Sequence, residues 1–181
     1  MKKMRQAFLG LVALPLLFFS SDVWAQRRRH TTDDFQPQWT WDLGASFGTY
    51  GSYSYSEIDL GLNDHFSEYF YWRNMVWDRF GATLTSAAGV DSSVRYEFVS
   101  QGDDGYPGFR FYIGPGLRVA SNNFTGDFAE AGMLFRFGGL NLGVGVKAIN
   151  YFSPGKDPVT GLTLPNSDTT FMILIGGGGA L

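Results

Sequence analysis

The chain has no cysteine, which excludes both a disulfide framework and a thiolate metal site. It has two histidines, His30 and His65, and they stand at unrelated places in the sequence. We therefore expect no metal site and no cofactor. The formal net charge is −3, so the basic surface that nucleic-acid binding requires is not expected. The glycines at 176–179 follow a predicted strand but open no helix, which excludes a phosphate-binding glycine loop.

Long hydrophobic runs are scarce, and one of them stands at the N-terminus. Residues 1–5 are basic, residues 7–19 are mostly apolar, and Ala25 supplies a small residue for cleavage. This pattern predicts a secretory signal peptide over residues 1–25. The alternative is an uncleaved anchor, but the run is shorter than the roughly 20 residues that a spanning helix needs.

The segment from residue 39 to residue 50 alternates strictly between two kinds of side chain. Residues 39–50 read WTWDLGASFGTY, so one face carries large apolar groups and the other carries small or polar groups. Period two predicts a β-strand. Its length suits a tilted membrane-spanning strand of about 9–11 residues better than a globular strand of about 5–6. A soluble secreted β-protein, such as a lipocalin-like binder, is the alternative.

Seven further segments repeat this alternation. The eight predicted strands cover residues 39–50, 53–63, 69–80, 90–99, 109–120, 128–137, 140–152 and 168–181. An even number of antiparallel strands can close without an open edge, as a lipid environment demands. The sequence thus predicts an all-β, eight-stranded antiparallel transmembrane β-barrel over residues 39–181, after the signal peptide and a periplasmic lead-in at 26–38. Pro115 falls inside the fifth strand and predicts a bulge there.

The strand phases place charged side chains of both signs inside the barrel. The predicted inward set is Asp42, Glu57, Asp59, Arg73, Arg95, Glu97, Arg110, Arg118, Glu130, Arg136, Lys147 and Asp168. Buried charges need partners, so these residues predict ion pairs that fill the lumen. A gate or narrow pore is the alternative. Eight strands enclose little more space than their own side chains occupy, which favours the filled lumen.

Aromatic residues cluster near both ends of the predicted strands, as expected of interfacial belts. At the periplasmic ends these are Trp39, Trp41, Phe66, Trp72, Phe109, Phe135 and Phe137. At the outer ends they are Tyr50, Tyr53, Trp77, Phe80, Phe124, Phe152 and Phe171. With the N-terminus in the periplasm, the loops at 81–89 and 153–167 are expected outside.

The strand count, the glycine-interrupted segments FYIGPGLRVA and LNLGVGVKA, and the run LGLNDHFSEYFYWRN resemble the small eight-stranded outer-membrane barrels of the OmpA/OmpX type. The resemblance implies a bacterial outer-membrane location and a structural, adhesive or surface-interaction role. It also implies contact with outer-membrane lipid and lipopolysaccharide, with the barrel assembly machinery, and with an envelope or surface partner. Such barrels usually end in an aromatic residue, whereas this chain ends in Leu181 after four glycines.

One short motif resembles the lipid A deacylases, small barrels that use a His-x-Ser pair with a carboxylate. His65, Ser67 and the adjacent Glu68 match that spacing. The resemblance implies a lipid-modifying enzyme in which His65 activates Ser67. However, the predicted topology places His65 in a periplasmic turn, whereas deacylase chemistry needs the outer side. The catalytic set is therefore an alternative to a non-enzymatic barrel.

Overall fold

The computed structural model describes residues 38–50, 53–81, 86–100, 109–137, 140–157 and 161–178. These residues form eight strands: β1 (Gln38–Tyr50), β2 (Tyr53–His65), β3 (Phe70–Phe80), β4 (Ala87–Ser100), β5 (Phe109–Ala120), β6 (Gly126–Phe137), β7 (Leu140–Tyr151) and β8 (Ser167–Gly178). The predicted all-β, eight-stranded fold is confirmed. The predicted signal peptide, almost all of the predicted lead-in, and Leu181 lie outside the described residues.

Every strand pairs antiparallel with its neighbour in sequence, and β1 pairs with β8 to close the barrel. The closing ladder runs from Thr40 opposite Gly178 to Gly48 opposite Thr170. Closure leaves no strand with unpaired backbone groups along a free edge. Within the described part of the chain, no helix has the length and apolar character needed to cross a membrane.

The polarity of the barrel is inverted relative to a soluble protein. Leu60, Val119 and Phe171 are 54%, 67% and 65% exposed on the outer surface, while Asp59, Arg118 and Thr170 are buried inside. Apolar side chains outside and polar side chains inside are typical of a barrel surrounded by lipid. We call the end where β1 begins the proximal end and the opposite end the distal end.

Two predicted connections are shorter than expected. β2 continues to His65, where the turn was predicted from residue 63, and β4 begins at Ala87, within the loop predicted over 81–89. Polar and small residues are weak strand formers, but Asn63, Asp64 and Ala87 all pair across a ladder. Tertiary pairing therefore overrides local propensity at both places.

The bulge predicted at Pro115 is wrong. Ser93 lies opposite Gly116 and Tyr96 lies opposite Ile113, so the register of β4 against β5 is the same on both sides of the proline. Between these two pairs the strands are not paired, but neither strand contains an extra residue. Pro115 has no N–H to donate. Its neighbour Gly114 lies against the backbone carbonyl of Val94, where a Cβ would clash.

Candidate functional site

The lumen is the candidate site because the described charged side chains converge there. At its distal half, Arg118 makes four hydrogen bonds. Its guanidinium donates to both oxygens of Glu57 at 3.0 and 3.1 Å and to both oxygens of Asp91 at 2.8 and 2.9 Å. The same group lies 4.0 Å from the ring centre of Trp77, whose indole N–H donates to Asp91 at 2.7 Å. Arg118, which lies on β5, thus links that strand to β2, β3 and β4.

Further charges join this set, which we call the distal network: Tyr55, Glu57, Trp77, Arg79, Asp91, Arg118, Lys147, Tyr151 and Asp168. Arg79 donates to Glu57 at 2.7 Å and to the Tyr151 hydroxyl at 3.1 Å. Lys147 donates to Asp91 at 2.7 Å. Tyr55 donates a short hydrogen bond to Asp168. Each carboxylate has a donor and each cation has an acceptor, so the network compensates its own buried charge.

The proximal half of the lumen holds smaller, separate groups. Arg73 donates to Asp42 through two nitrogens, one of them at 3.0 Å, and to Asp59 at 2.8 Å. Asn63 adds a hydrogen bond to Asp42 at 2.8 Å. Arg73 is thereby shared by two carboxylates, and all of these side chains are buried.

The second proximal group is a bidentate ion pair. Arg95 donates from Nε and Nη2 to the two oxygens of Glu130, both at 2.7 Å, and Ser93 donates to Glu130 at 2.6 Å. Arg95 also lies 4.1 Å from the ring centre of Tyr112. Fork-to-carboxylate geometry of this kind gives strong, directional hydrogen bonds. No hydrogen bond recorded among the described residues joins Arg95 or Glu130 to the distal network.

A cluster of mostly apolar side chains, which we call the plug, adjoins the distal network and shares Tyr55, Trp77 and Tyr151 with it. Its buried members are Tyr55, Met75, Trp77, Ala87, Phe124, Phe128, Ile149, Tyr151 and Leu164. Leu164 comes from the connection between β7 and β8 and is 3% exposed. A residue of this connection therefore packs onto side chains from inside the barrel at its distal end.

The distal connections are tied to each other, and we call their described part, residues 121–125 with 152–157 and 161–166, the distal cap. The amide of Leu164 donates to the carbonyl of Gly155 at 2.9 Å, and Tyr151 donates to Asn166 at 2.8 Å. Gly161 has φ = 69°, a conformation that favours glycine. Asn122 donates to the carbonyl of Ser86 at 2.8 Å, which joins the cap to the start of β4.

Ten members of the predicted inward set are buried in the lumen: Asp42, Glu57, Asp59, Arg73, Arg95, Glu97, Arg118, Glu130, Lys147 and Asp168. Arg110 is only partly buried and pairs with Glu97 at 2.9 Å. Arg136 keeps the inward phase of Glu130 and stands opposite Asn141, but its side chain is exposed. It lies next to the last residue of β6, where the proximal mouth opens and the alternation no longer enforces burial.

The predicted aromatic belt is also wrong at two positions. Trp77 is 3% exposed and Phe124 is 2% exposed, and both belong to the plug. Trp77 shares the phase of Arg73 and Met75, so its inward position follows from the alternation of β3. Phe124 precedes β6 and has no strand phase from which its position follows. The belt residues Trp39, Phe66, Trp72, Phe80 and Phe137 are exposed as predicted.

The candidate catalytic residues lie at the proximal end. The ring of His65 shares a 3.2 Å hydrogen bond with Thr40 and stacks on Tyr71 at 4.7 Å. Ser67 Oγ accepts the backbone N–H groups of Tyr69 and Phe70 at 3.3 and 2.9 Å. Desolvation and the Glu68 carboxylate raise the pKa of Tyr69. The recorded contacts of His65 and Ser67 thus go to other residues, and the arrangement is that of a capped turn.

Metal ligation finds no support among the described side chains: none of them form a group of three or more His, Asp or Glu residues that could hold an ion. Sequence reasoning had left out Arg79, which the alternation of β3 places inside with Arg73. It had also left out Tyr55 and Tyr151, because phenol rings in a strand suit either face.

Two solved structures are similar to this chain in fold. A designed transmembrane β-barrel matches 80% of this chain and 98% of its own, with 16% identity and a TM-score of 0.54. The crystal structure of the outer membrane enzyme PagL matches 75% of this chain and 97% of its own, with 18% identity and a TM-score of 0.54. No family model matches, and no curated protein matches significantly. The class is therefore that of closed, eight-stranded transmembrane β-barrels, and the likeness extends to the fold alone.

Proposed function

We propose that this chain is a bacterial outer-membrane protein with a structural, adhesive or surface-interaction role and a lumen that does not conduct. The observation that carries the proposal is the inverted polarity of a barrel whose described interior holds paired charges and, toward the distal end, the plug. The fold likeness to transmembrane barrels supports the membrane location. In this proposal the proximal end faces the periplasm and the distal cap faces the outside.

The distal cap is the surface on which such a role would depend. Its connections are joined by backbone hydrogen bonds and anchored by Leu164, so it is held in one shape. A pre-organised surface loses little entropy on binding a partner. Outer-membrane lipid and lipopolysaccharide would surround the belt, the assembly machinery would act during insertion, and an envelope or surface partner would meet the cap.

Topology is tested with cysteines, which the chain lacks. Thr163→Cys lies on the exposed cap and should react with a large, membrane-impermeant maleimide in intact cells. The matched control Glu68→Cys, exposed at the proximal turn, should react only after the outer membrane is permeabilised. Labelling in the reverse order would contradict the orientation. Labelling of both variants in a soluble fraction would contradict the membrane location.

The absence of conduction is tested in planar bilayers. The purified barrel should insert, migrate differently on a gel before and after boiling, and give no conductance steps. Regular open-channel steps from the folded protein would contradict a filled lumen. The side chains of the distal network and the plug would then have to move aside.

The enzymatic alternative rests on His65, Ser67 and Glu68, and it stays a prediction. Mass spectrometry of outer-membrane lipid from cells with and without the protein tests it. Unchanged lipid agrees with the non-enzymatic role. A mass change equal to one acyl chain that disappears with Ser67→Ala would establish the enzyme, whereas a change that survives Ser67→Ala would rule out that nucleophile.

A further inference from the structure

One small region of the outer surface is more polar than the residues across the ladders from it. Asn74 is next to Met75, the middle residue of β3, and its side chain points outward with those of Trp72 and Val76. Directly across the β3–β4 ladder stands Ser92, which is also outward. We call Trp72, Asn74, Val76, Val90 and Ser92 the Asn74 patch.

The outward residues across the ladders from the patch are apolar, whereas Asp78, two residues beyond Val76 on β3, is an outward charged residue near the distal end. Across the ladders, Leu62 stands opposite Asn74 and Leu117 stands opposite Ser92. On the opposite wall of the barrel the central outward positions are Val144 and Ile173, which pair with each other. The patch therefore puts a carboxamide and a hydroxyl between cross-strand neighbours, Leu62 and Leu117, whose side chains suit hydrocarbon.

The hydroxyl is satisfied within the barrel, but the carboxamide is not. Trp72 Nε1 donates to Ser92 Oγ at 2.7 Å. The Asn74 amide makes no hydrogen bond with any residue that the structure describes. Asn74 lies near the middle of β3, so at the proposed membrane location hydrocarbon rather than water would surround its amide. An unsatisfied amide in hydrocarbon costs several kcal/mol by general transfer data, or roughly 4–8 kcal/mol at the extreme.

The surface beside Asn74 is hollow. A groove of about 300 Å³ is lined by Trp41, Leu60, Leu62, Asn74, Val76 and Val90, among others. An acyl chain would fit the apolar walls, but it has no group that could bond the amide. The occupant that removes the cost is a protein surface with an amide or hydroxyl at the same depth.

We propose that the Asn74 patch is the interface of a symmetric dimer of this chain within the membrane. All copies insert in one orientation, so a two-fold axis lies along the membrane normal and places the two Asn74 side chains at equal depth. A carboxamide both donates and accepts, so it is complementary to itself. The closed barrel offers no strand edge, and pairing therefore goes through side chains. This proposal rests on the membrane location proposed above.

The test uses crosslinking of the purified chain in phospholipid vesicles, where no other protein is present. Val76→Cys keeps Asn74 in place and puts a thiol in the patch. Val144→Cys is the control at similar depth on the opposite wall. We expect a dimer-sized product from Val76→Cys with a short bis-maleimide and only background from Val144→Cys.

Two further variants test the role of the amide. Asn74→Leu combined with Val76→Cys should lower the dimer association constant about tenfold, in line with measured hydrogen-bond effects between membrane segments. Asn74→Gln with Val76→Cys keeps an amide and should retain the crosslink. An association constant that Asn74→Leu leaves unchanged, or crosslinking that is equal for both walls, would overturn the proposal.

Insertion is measured separately, from the change in gel migration on boiling. A chain that fails to insert would overturn the membrane location and the dimer with it. A chain that inserts without crosslinking at Val76→Cys would overturn the dimer alone.

Discussion

The two halves of the lumen compensate their buried charges in different ways. In the distal half, Arg118 serves both Glu57 and Asp91, and Asp91 also binds Lys147, so the charges form one linked set. In the proximal half, Arg95 and Glu130 satisfy each other as a nearly self-contained pair. The loss of one member of a linked set removes hydrogen bonds from several others at once, whereas a pair can be removed as a unit.

The largest expected effect is therefore at Arg118. Arg118→Met removes the cation that Glu57 and Asp91 share and leaves them only Arg79 and Lys147. Breaking buried ion pairs in this way typically costs about 3–5 kcal/mol. The measurement is urea unfolding of the barrel in detergent micelles, followed by gel migration before boiling. A loss below about 1 kcal/mol, the range of exposed pairs, would contradict the linked-set description.

The proximal pair should behave differently. Glu130→Leu alone strands Arg95 and should cost about 3 kcal/mol, whereas Glu130→Leu with Arg95→Met removes both charges and should return most of that stability. The same urea unfolding measures both variants. If the double variant is no more stable than Glu130→Leu, Arg95 and Glu130 do not form an independent unit.

A smaller loss of stability, confined to the distal half, is expected when the plug is truncated. Leu164→Ala removes a buried side chain and should cost about 2 kcal/mol, the lower end of the range for such truncations, because a loop relaxes more easily than a strand. Leu162→Ala, an exposed neighbour on the same connection, is the control. Protease cleavage of the β7–β8 connection should be faster for Leu164→Ala only.

The smallest effect is expected at the proximal mouth. Arg110 is 31% exposed and pairs with Glu97, so Arg110→Met should cost only about 0.5 kcal/mol. The loss should shrink further in high salt, because solvent ions screen the wild-type pair. A loss of stability as large as that of Arg118→Met would show that the contribution of these ion pairs to stability does not depend on their burial.

Much of this architecture was predictable because a barrel obeys one periodicity. Two-residue alternation places Glu57, Arg95 and Lys147 inside without any knowledge of the structure, and their opposite charges imply partners. The same rule places Trp77 inside, whereas the prediction that it belongs to the outer aromatic belt did not use its strand phase. Alternation decides the face of a residue, whereas the choice of partner depends on the register between strands.

The distal cap and the plug were not predictable from this rule. Phe124 and Leu164 lie between strands, where no period applies, and their burial depends on how the connections fold back over the mouth. The Asn74 patch shows the converse. Its outward phase could be derived from the sequence, but its hollow surroundings and unbonded amide became visible only in the structure.

The pairing of β1 with β8 also has a consequence for the order of assembly. Thr40 meets Gly178, so the ladder that completes the barrel joins the two ends of the described chain. Contacts so distant in sequence carry the greatest loop-closure entropy and form slowly. Neighbouring hairpins can form as soon as their residues are available, but the last ladder must wait for the whole chain. Until then, β1 and β8 both expose unpaired backbone, and the incomplete sheet is most open to pairing with other chains.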